Sequence, residues 1–481
     1  MNTSSARTHD ATVARDLELL GLPPANWPAV VYGPDGKPVL DVLVVGAGMN
    51  GIAAAASLQF KGVRNIALID QSEPGREGPW LTFARMETLR SPKTLPGPAL
   101  GIPSLTFRAW YEARFGQAAW DALYKIPNAL WAEYLLWLQK VLALPVRHRV
   151  KLVRLEHAGT LLKATLQEEG CERVLFTRRA ILATGRRGAG GDEWPSFVDH
   201  ALAPEYAAHS NDDIDFARLK GKSIAVLGGG ASAWDNAATA LELGAARVDM
   251  YVRRSVLPQV NKSRGASYPG FLYGWATLSD AERWNLMVYF NDLQAPVPHE
   301  TVHRTLRLKG FHIHLGTSVT RAERDGDGVV LTVANDPKPR RHDFLIVATG
   351  FKVDARQIPE IAAYAADFAT WADRYEPPQD LRRDNLGRFP YLGPGFELTE
   401  KTAGLNPTLR QIHLVNYGAH LSHTGIASDI PGANVAAERV SNAIVTSLFR
   451  EDIADVRRKL EEFNESELEG TPFFVPTPKP S

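Results

Sequence analysis

Two glycine clusters in this 481-residue chain hold the residues best suited to chemistry. The first reads Gly46-Ala47-Gly48-Met49-Asn50-Gly51 and fits G-x-G-x-x-G. An apolar run at 42–45 leads into it and an alanine-rich stretch leads out, so it reads as strand, turn and helix. Each glycine has a separate task in holding a dinucleotide. Gly46 permits the tight turn, Gly48 leaves room for the pyrophosphate, and Gly51 lets helix and strand pack closely. The helix start, with Met49 and Asn50 in its first turn, offers free N–H groups and a positive dipole end to phosphate. Asp70 closes the next apolar run, at 66–69, where a carboxylate accepts both hydroxyls of an adenosine ribose; Gln71 follows it.

The second cluster, Gly228-Gly229-Gly230-Ala231-Ser232-Ala233, fits G-x-G-x-x-A. An apolar run at 223–227 precedes it and a helical pattern follows. The next strand, at 248–252, ends in Arg253-Arg254, where an NAD-type site would carry Asp or Glu. Arginine forms charge-assisted bonds to a 2′-phosphate, so this turn is expected to take NADPH. Flavin plus nicotinamide explains two such turns in one chain, and makes the first an FAD site.

The elements that must position these turns follow from the rest of the sequence. The chain is too long for one core, which predicts two or three domains. Lys plus Arg (54) equals Asp plus Glu (54), so there is no surplus of cations for a nucleic acid. The lone cysteine, Cys171, excludes an internal disulfide and a dithiol centre, and is expected to be a partly buried small hydrophobe. Metal-ligand clusters are absent. The first forty residues lack an apolar run long enough for a signal or a membrane span, so the expected location is cytoplasmic.

The expected fold class is α/β, with two Rossmann-like dinucleotide-binding domains, the NADPH domain inserted in the FAD domain. The expected divisions are an N-terminal extension at 1–38, FAD-binding segments at 39–213 and 351–450, an NADPH-binding domain at 214–350, and a tail at 451–481. The extension carries an amphipathic helix at 11–20 and could cap the active site or serve a dimer interface. Residues 72–103 show no periodicity, and a long irregular stretch in a compact enzyme is usually functional. Aromatic residues at helical spacing (Trp110, Phe115, Trp131, Tyr134, Trp137) predict core helices over 105–143. Strands are expected over 150–183 and at 412–415, and a helix over 433–449.

With these motifs, and with Ala183-Thr184-Gly185 and Ala348-Thr349-Gly350-Phe351 closing two apolar runs, the chain resembles the class B flavin monooxygenases. The resemblance spans roughly 39–450 and implies FAD at the first turn and NADPH at the second. It implies that Gly185, Thr349, Gly350, Gly418 and Asp429 lie beside the cofactors. It also brings Trp80 of Gly78-Pro79-Trp80, and the loop Arg90-Ser91-Pro92-Lys93, toward the flavin ring. The family's F-x-G-x-x-x-H fingerprint survives only as His209, with Ala203, Glu205 and Asp213 at its other positions, which points to an N-hydroxylating branch. Disulfide reductases share the layout but need a Cys pair that this chain lacks.

The implied activity uses O2 and a C4a-(hydro)peroxyflavin to N-hydroxylate a small amine or amino acid. Lys93 and Asn261 are the candidate catalytic residues, and Lys262, Arg264 and His420 the candidate substrate contacts. The alternatives are a Baeyer–Villiger or S-oxygenating enzyme, or a reductase that passes electrons to a protein partner. Homo-oligomerisation is left open.

Overall fold

Continuous Val, Ile and Leu runs build strands covered on both faces, and these form the centre of two parallel sheets. The computed structural model describes residues 3–476. In the first sheet the strands run Val146–Arg147, Ile66–Ile69, Leu40–Val45, Cys171–Leu182, Leu161–Glu168, Val150–Ala158, and Ile412–Leu414 also pairs with Cys171–Leu182. The pairs flanking the first glycine turn are parallel, whereas 150–182 is an antiparallel meander. Helix Met49–Gln59 buries Ala53, Ala54, Ala55 and Ala56, whose small side chains admit helix Ala433–Glu451 at close range. Ser57 and Ser441 join the two helices through their hydroxyls at 2.8 Å.

The second sheet is all parallel, in the order Phe311–Leu315, Arg247–Val252, Ser223–Leu227, Phe344–Val347, Ala207–His209. Its last strand lies before residue 214, so this sheet recruits chain upstream of the expected boundary. Val198, Leu202 and Tyr206 join the same core as Leu345 and Val347. A three-stranded antiparallel sheet, 319–342, packs beside it.

Not all of 214–350 belongs with the second sheet. Helices Pro269–Gly274 and Asp280–Leu293 pack on residues from the C-terminal part of the chain: Trp275, Trp284 and Met287 share one apolar cluster with Trp371, Phe389 and Leu421. Ser279 and Glu282 cap the second of these helices reciprocally. Trp275 Nε1 donates to the Leu421 carbonyl at 3.1 Å, and an Arg283 nitrogen to that of Ser422 at 3.2 Å. The pair forms a helical insertion packed on the segments around Trp371, Phe389 and Leu421.

The irregular segment after Asp70 bridges the two sheets. Arg85 donates to the carbonyls of Ser210 and Asp212 at 2.7 Å each and stacks on Phe216, and burial pushes its guanidinium down to about 10. The expected aromatic helices are Phe107–Phe115, Gln117–Ala122 and Asn128–Val141, with Trp110, Trp131, Tyr134 and Trp137 buried. Helix Thr3–Leu19 lies on them: Asp10 accepts from Trp137 Nε1 at 2.7 Å. A helix, Ile453–Glu462, occupies part of the expected tail. Cys171 is exposed at the hairpin turn before Cys171–Leu182, because the turn projects beyond the sheet. Among the described residues no helix is long and apolar enough to cross a membrane, and no cluster of His, Cys, Asp or Glu could hold a metal.

Candidate active site

The first turn is built as its glycines require. A Cβ on Gly46 would meet the Ala183 carbonyl oxygen at 2.5 Å, and one on Gly51 would lie 1.7 Å from the Gly46 carbonyl oxygen. Gly48 starts helix Met49–Gln59 with no side-chain cap, so the first N–H groups stay free for an anion. Gly48 faces Gly78 of the irregular segment: a Cβ on Gly48 would stand 3.9 Å from the Gly78 Cα, so any longer side chain would fill the slot. Asp70 accepts the Ala47 N–H and the Ser72 N–H at 2.8 Å each, which fixes its carboxylate below the turn with lone pairs to spare. Gln71 is exposed beside it, and Met49 is buried in the core.

Buried polar atoms around this turn lack protein partners. Asn50 donates to the Ala427 carbonyl, but its Oδ1 is unpaired. Trp80 Nε1 and Asn128 Oδ1 are unpaired as well, although Asn128 Nδ2 holds the carbonyls of Trp80 and Ala84. An uncapped helix start, a side-chain-free slot and orphaned donors and acceptors fit a polar dinucleotide such as FAD.

The second turn repeats the design. A Cβ on Gly228 would meet the Ala348 carbonyl oxygen at 2.3 Å, which pairs this turn with its own Ala-Thr-Gly segment just as Gly46 pairs with Ala183. Gly230 opens helix Ala231–Glu242 with no side-chain cap, and nothing lies within 4 Å of a Cβ placed there. Ala233 is fully buried, while Ala231 and Ser232 are half-buried on the first turn.

The register refines the expectation for the arginines. Gly46 N donates to the Ile69 carbonyl and Gly228 N to that of Tyr251, so Val252 occupies the position of Asp70. The second turn carries no carboxylate at the position of Asp70, and a Cβ on Gly229 would sit 2.7 Å from the Val252 side chain. Arg253 and Arg254 follow, both exposed. Arg254 reaches the Asp292 carbonyl at 3.4 Å, whereas Arg253 has no side-chain partner among the described residues.

The carboxyl ends of Cys171–Leu182 and Ile412–Leu414 carry a further group of residues. Asn416 Nδ2 donates to Thr184 Oγ1 at 3.1 Å, and Asn416 Oδ1 accepts the Gly418 N–H at 2.8 Å. Past Gly185, the Arg186 guanidinium lies 5.0 Å from the Tyr417 ring centre and pairs with Asp429 Oδ1 at 3.2 Å. His420 lies beside Tyr417, with ring centres 5.1 Å apart and planes tilted by 32°. Burial pushes His420 down and Tyr417 up, so both are neutral near pH 7. Arg186, Tyr417 and Asn416 were not singled out from the sequence; their only signal was position after the apolar runs that end at 182 and 414.

The two Ala-Thr-Gly segments meet through the linkers that follow them. Glu193 N donates to the Gly350 carbonyl at 2.9 Å, Thr349 Oγ1 donates to the Glu193 carbonyl, and Asp354 N donates to the Ala189 carbonyl at 3.0 Å. His209 is fully buried here, 3.5 Å from Asp192, and Arg187 spans Asp192 and Asp212 at 2.7 and 2.8 Å. The surviving fingerprint histidine thus braces the joint between the two sheets.

Other expected site residues are engaged elsewhere. Lys93 Nζ donates to the Trp120 carbonyl at 2.7 Å and sits over that ring, tied to the aromatic helices. Arg90 points across the boundary to Asp235 of helix Ala231–Glu242 at 3.3 Å. Asn261 caps the short helix Lys262–Gly265, on which Lys262 and Arg264 are exposed.

Comparison with known proteins agrees with this architecture. Residues 40–367 match the pyridine nucleotide-disulphide oxidoreductase family. The chain is 40% identical over 444 residues to an FAD-dependent urate hydroxylase of Xanthomonas campestris pv. campestris, covering 91% of this chain and 92% of that one. An ornithine N-hydroxylase of Kutzneria sp. 744, solved with reduced FAD, NADP+ and L-ornithine, superposes with a TM-score of 0.69 at 16% identity, over 86% of this chain and all of that one. An ornithine hydroxylase of Pseudomonas aeruginosa gives 0.67 at 18% identity, over 85% and 100%. The bacillithiol disulfide reductase of Bacillus cereus gives 0.55 at 14% identity, over 85% and 99%. The chain belongs to the pyridine nucleotide-disulphide oxidoreductase family and is an FAD-dependent oxidoreductase with homologues among flavin hydroxylases. Its fold is shared with class B N-hydroxylating monooxygenases.

Proposed function

We propose that this flavoenzyme is an FAD- and NADPH-dependent monooxygenase that hydroxylates a small, planar, nitrogen-rich heterocycle of the urate class. The observation that carries the reading is 40% identity to a urate hydroxylase along nine-tenths of the chain, with both glycine turns intact. The amine or amino acid substrate expected from the sequence finds support in the ornithine hydroxylases, whose likeness is one of fold. The residues assigned to it also lead elsewhere: Lys93 is held by Trp120, and Asn261 is a helix cap.

Bound FAD supplies hydride acceptance and O2 activation. The protein supplies position and shelter. The free N–H groups after Gly48 would hold the pyrophosphate, and Asp70 the adenosine ribose. Arg253 and Arg254 would hold the 2′-phosphate of NADPH, helped by a valine where a carboxylate would repel it. The helical insertion packs on the Leu421 segment that follows Ile412–Leu414, where it would help to exclude water from reactive intermediates.

The test is a stoichiometry on the purified holoenzyme. Urate, NADPH and O2 should be consumed in equal amounts. NADPH consumption that yields only hydrogen peroxide, with urate untouched and L-ornithine hydroxylated, would return the substrate to the amine class. Rapid reduction of a protein acceptor without O2 uptake would make the chain a reductase.

A further inference from the structure

Arg186 and Asp429 are joined by a single contact, Nη2 to Oδ1 at 3.2 Å, at the carboxyl edge of the sheet that carries the first turn. The two side chains are 46% and 47% exposed, so neither is consumed by the fold. Four of the five guanidinium N–H groups and most of the carboxylate lone pairs stay available. Ligands of open α/β sheets bind at this edge. Tyr417 lies under the Arg186 guanidinium and packs against the apolar cluster that holds Trp275 and Trp284, which fixes the guanidinium in place. His420, beside Tyr417, has an Nδ1 without a partner.

A donor and an acceptor held side by side form the complement of one common chemical edge. A lactam or cyclic ureide presents C=O next to N–H; the carbonyl would accept from Arg186 and the N–H would donate to Asp429. We propose that Arg186 and Asp429 together read the lactam edge of the substrate. This deepens the urate-class reading and rests on it. The pair carries no net charge, so it selects the donor–acceptor pattern and not merely an anion. An amino acid offers no such edge.

The flavin pyrimidine also has a lactam edge, so the test separates the two sources. Urate and fully N-methylated urate, which keeps the carbonyls and lacks every N–H, are titrated into oxidised holoenzyme and followed through the flavin absorbance. The wild type should bind urate at least about tenfold more tightly than the methylated compound, the effect of one charge-assisted hydrogen bond. R186Q and D429N should each raise the urate Kd about tenfold, move the methylated Kd by less than about twofold, and combine to less than the sum of the two effects, because both hydrogen bonds hold one edge of one ligand. FAD content should stay at the wild-type level. Unchanged urate affinity in both variants overturns the proposal and leaves the substrate class standing. Loss of FAD in the variants overturns it by assigning the pair to the flavin. A wild type that does not bind urate overturns both readings.

Discussion

Removal of the Arg253 guanidinium should convert a preference for NADPH into near-indifference between the two nicotinamide cofactors. The magnitude follows from where the side chain sits. Arg253 is exposed and has no side-chain partner among the described residues, so its loss disturbs no internal contact. Hydrogen bonds to a charged group contribute roughly 1.5–3 kcal/mol, and solvent screening at an exposed site favours the lower end. About 1.5 kcal/mol corresponds to about a tenfold fall in kcat/KM for NADPH. Arg254 is partly engaged with the Asp292 carbonyl, so R254A alone should cost less than R253A. The assay is steady-state oxidation of NADPH and NADH by R253A, R254A and the double variant at low and high salt. NADH kinetics should move less than about twofold, and the NADPH penalty should shrink as salt rises. A complementary change is V252D, which restores the carboxylate present at Asp70 and should improve NADH relative to NADPH. Equal losses with both cofactors would refute the 2′-phosphate role. A wild type that prefers NADH would refute the inference from Val252.

Three further outcomes are expected. G51A puts a methyl 1.7 Å from the Gly46 carbonyl oxygen and should be purified with little flavin, read from its absorbance ratio, whereas G230A meets nothing within 4 Å and should keep FAD and thermal stability while weakening NADPH binding. His413 and His423 are buried neutral and pushed down from 6.5 to about 4 and about 3, mainly by burial, so the unfolded chain gains protons that the fold refuses as pH falls through 6.5. Each should cost about 2 kcal/mol of stability at about pH 5 relative to pH 7, and denaturant titrations of H413Q should show a smaller acid loss than the wild type. C171S should turn over within about twofold of wild type, because one exposed thiol far from a partner does no dithiol chemistry; loss of turnover would restore a redox role for Cys171.

The parts of the site legible in the sequence are those fixed by local rules. A Gly-x-Gly turn between an apolar strand and an alanine-rich helix is a short-range pattern, and it recovered the strand, turn and helix at both clusters and the place of Asp70 at the end of the next strand. The long-range parts were not legible. Strand Ala207–His209 is three residues long and joins the second sheet only through Phe344–Val347, so nothing local announces it before residue 214. Helix Asp280–Leu293 carries apolar residues on more than one face, with Trp284, Met287 and Val288 buried and Leu286, Tyr289 and Leu293 exposed, so its periodicity does not say that Trp371 and Leu421 cover it. Lys93 illustrates the same limit. Its position in a basic loop near the flavin motif suggested catalysis, but a carbonyl and an indole ring of another helix capture its ammonium group.

The two turns also show why motif matching alone leaves cofactor choice open. Both first glycines abut the carbonyl of an Ala-Thr-Gly alanine, and both helices start uncapped, so the backbone is built alike for either dinucleotide. The distinction rests on one strand position. Asp70 folds back onto Ala47 N and Ser72 N in the first turn, and Val252 packs under Gly229 in the second. A carboxylate there binds a bare ribose and repels a 2′-phosphate; an apolar residue followed by two cations does the reverse. Sequence spacing placed the arginines at the end of the strand, but only the hydrogen bonds from Gly46 and Gly228 fix which residue stands opposite Asp70. Exchange of this residue is therefore the sharper test of cofactor choice, since V252D changes the residue that stands where Asp70 does, whereas R253A removes its neighbour.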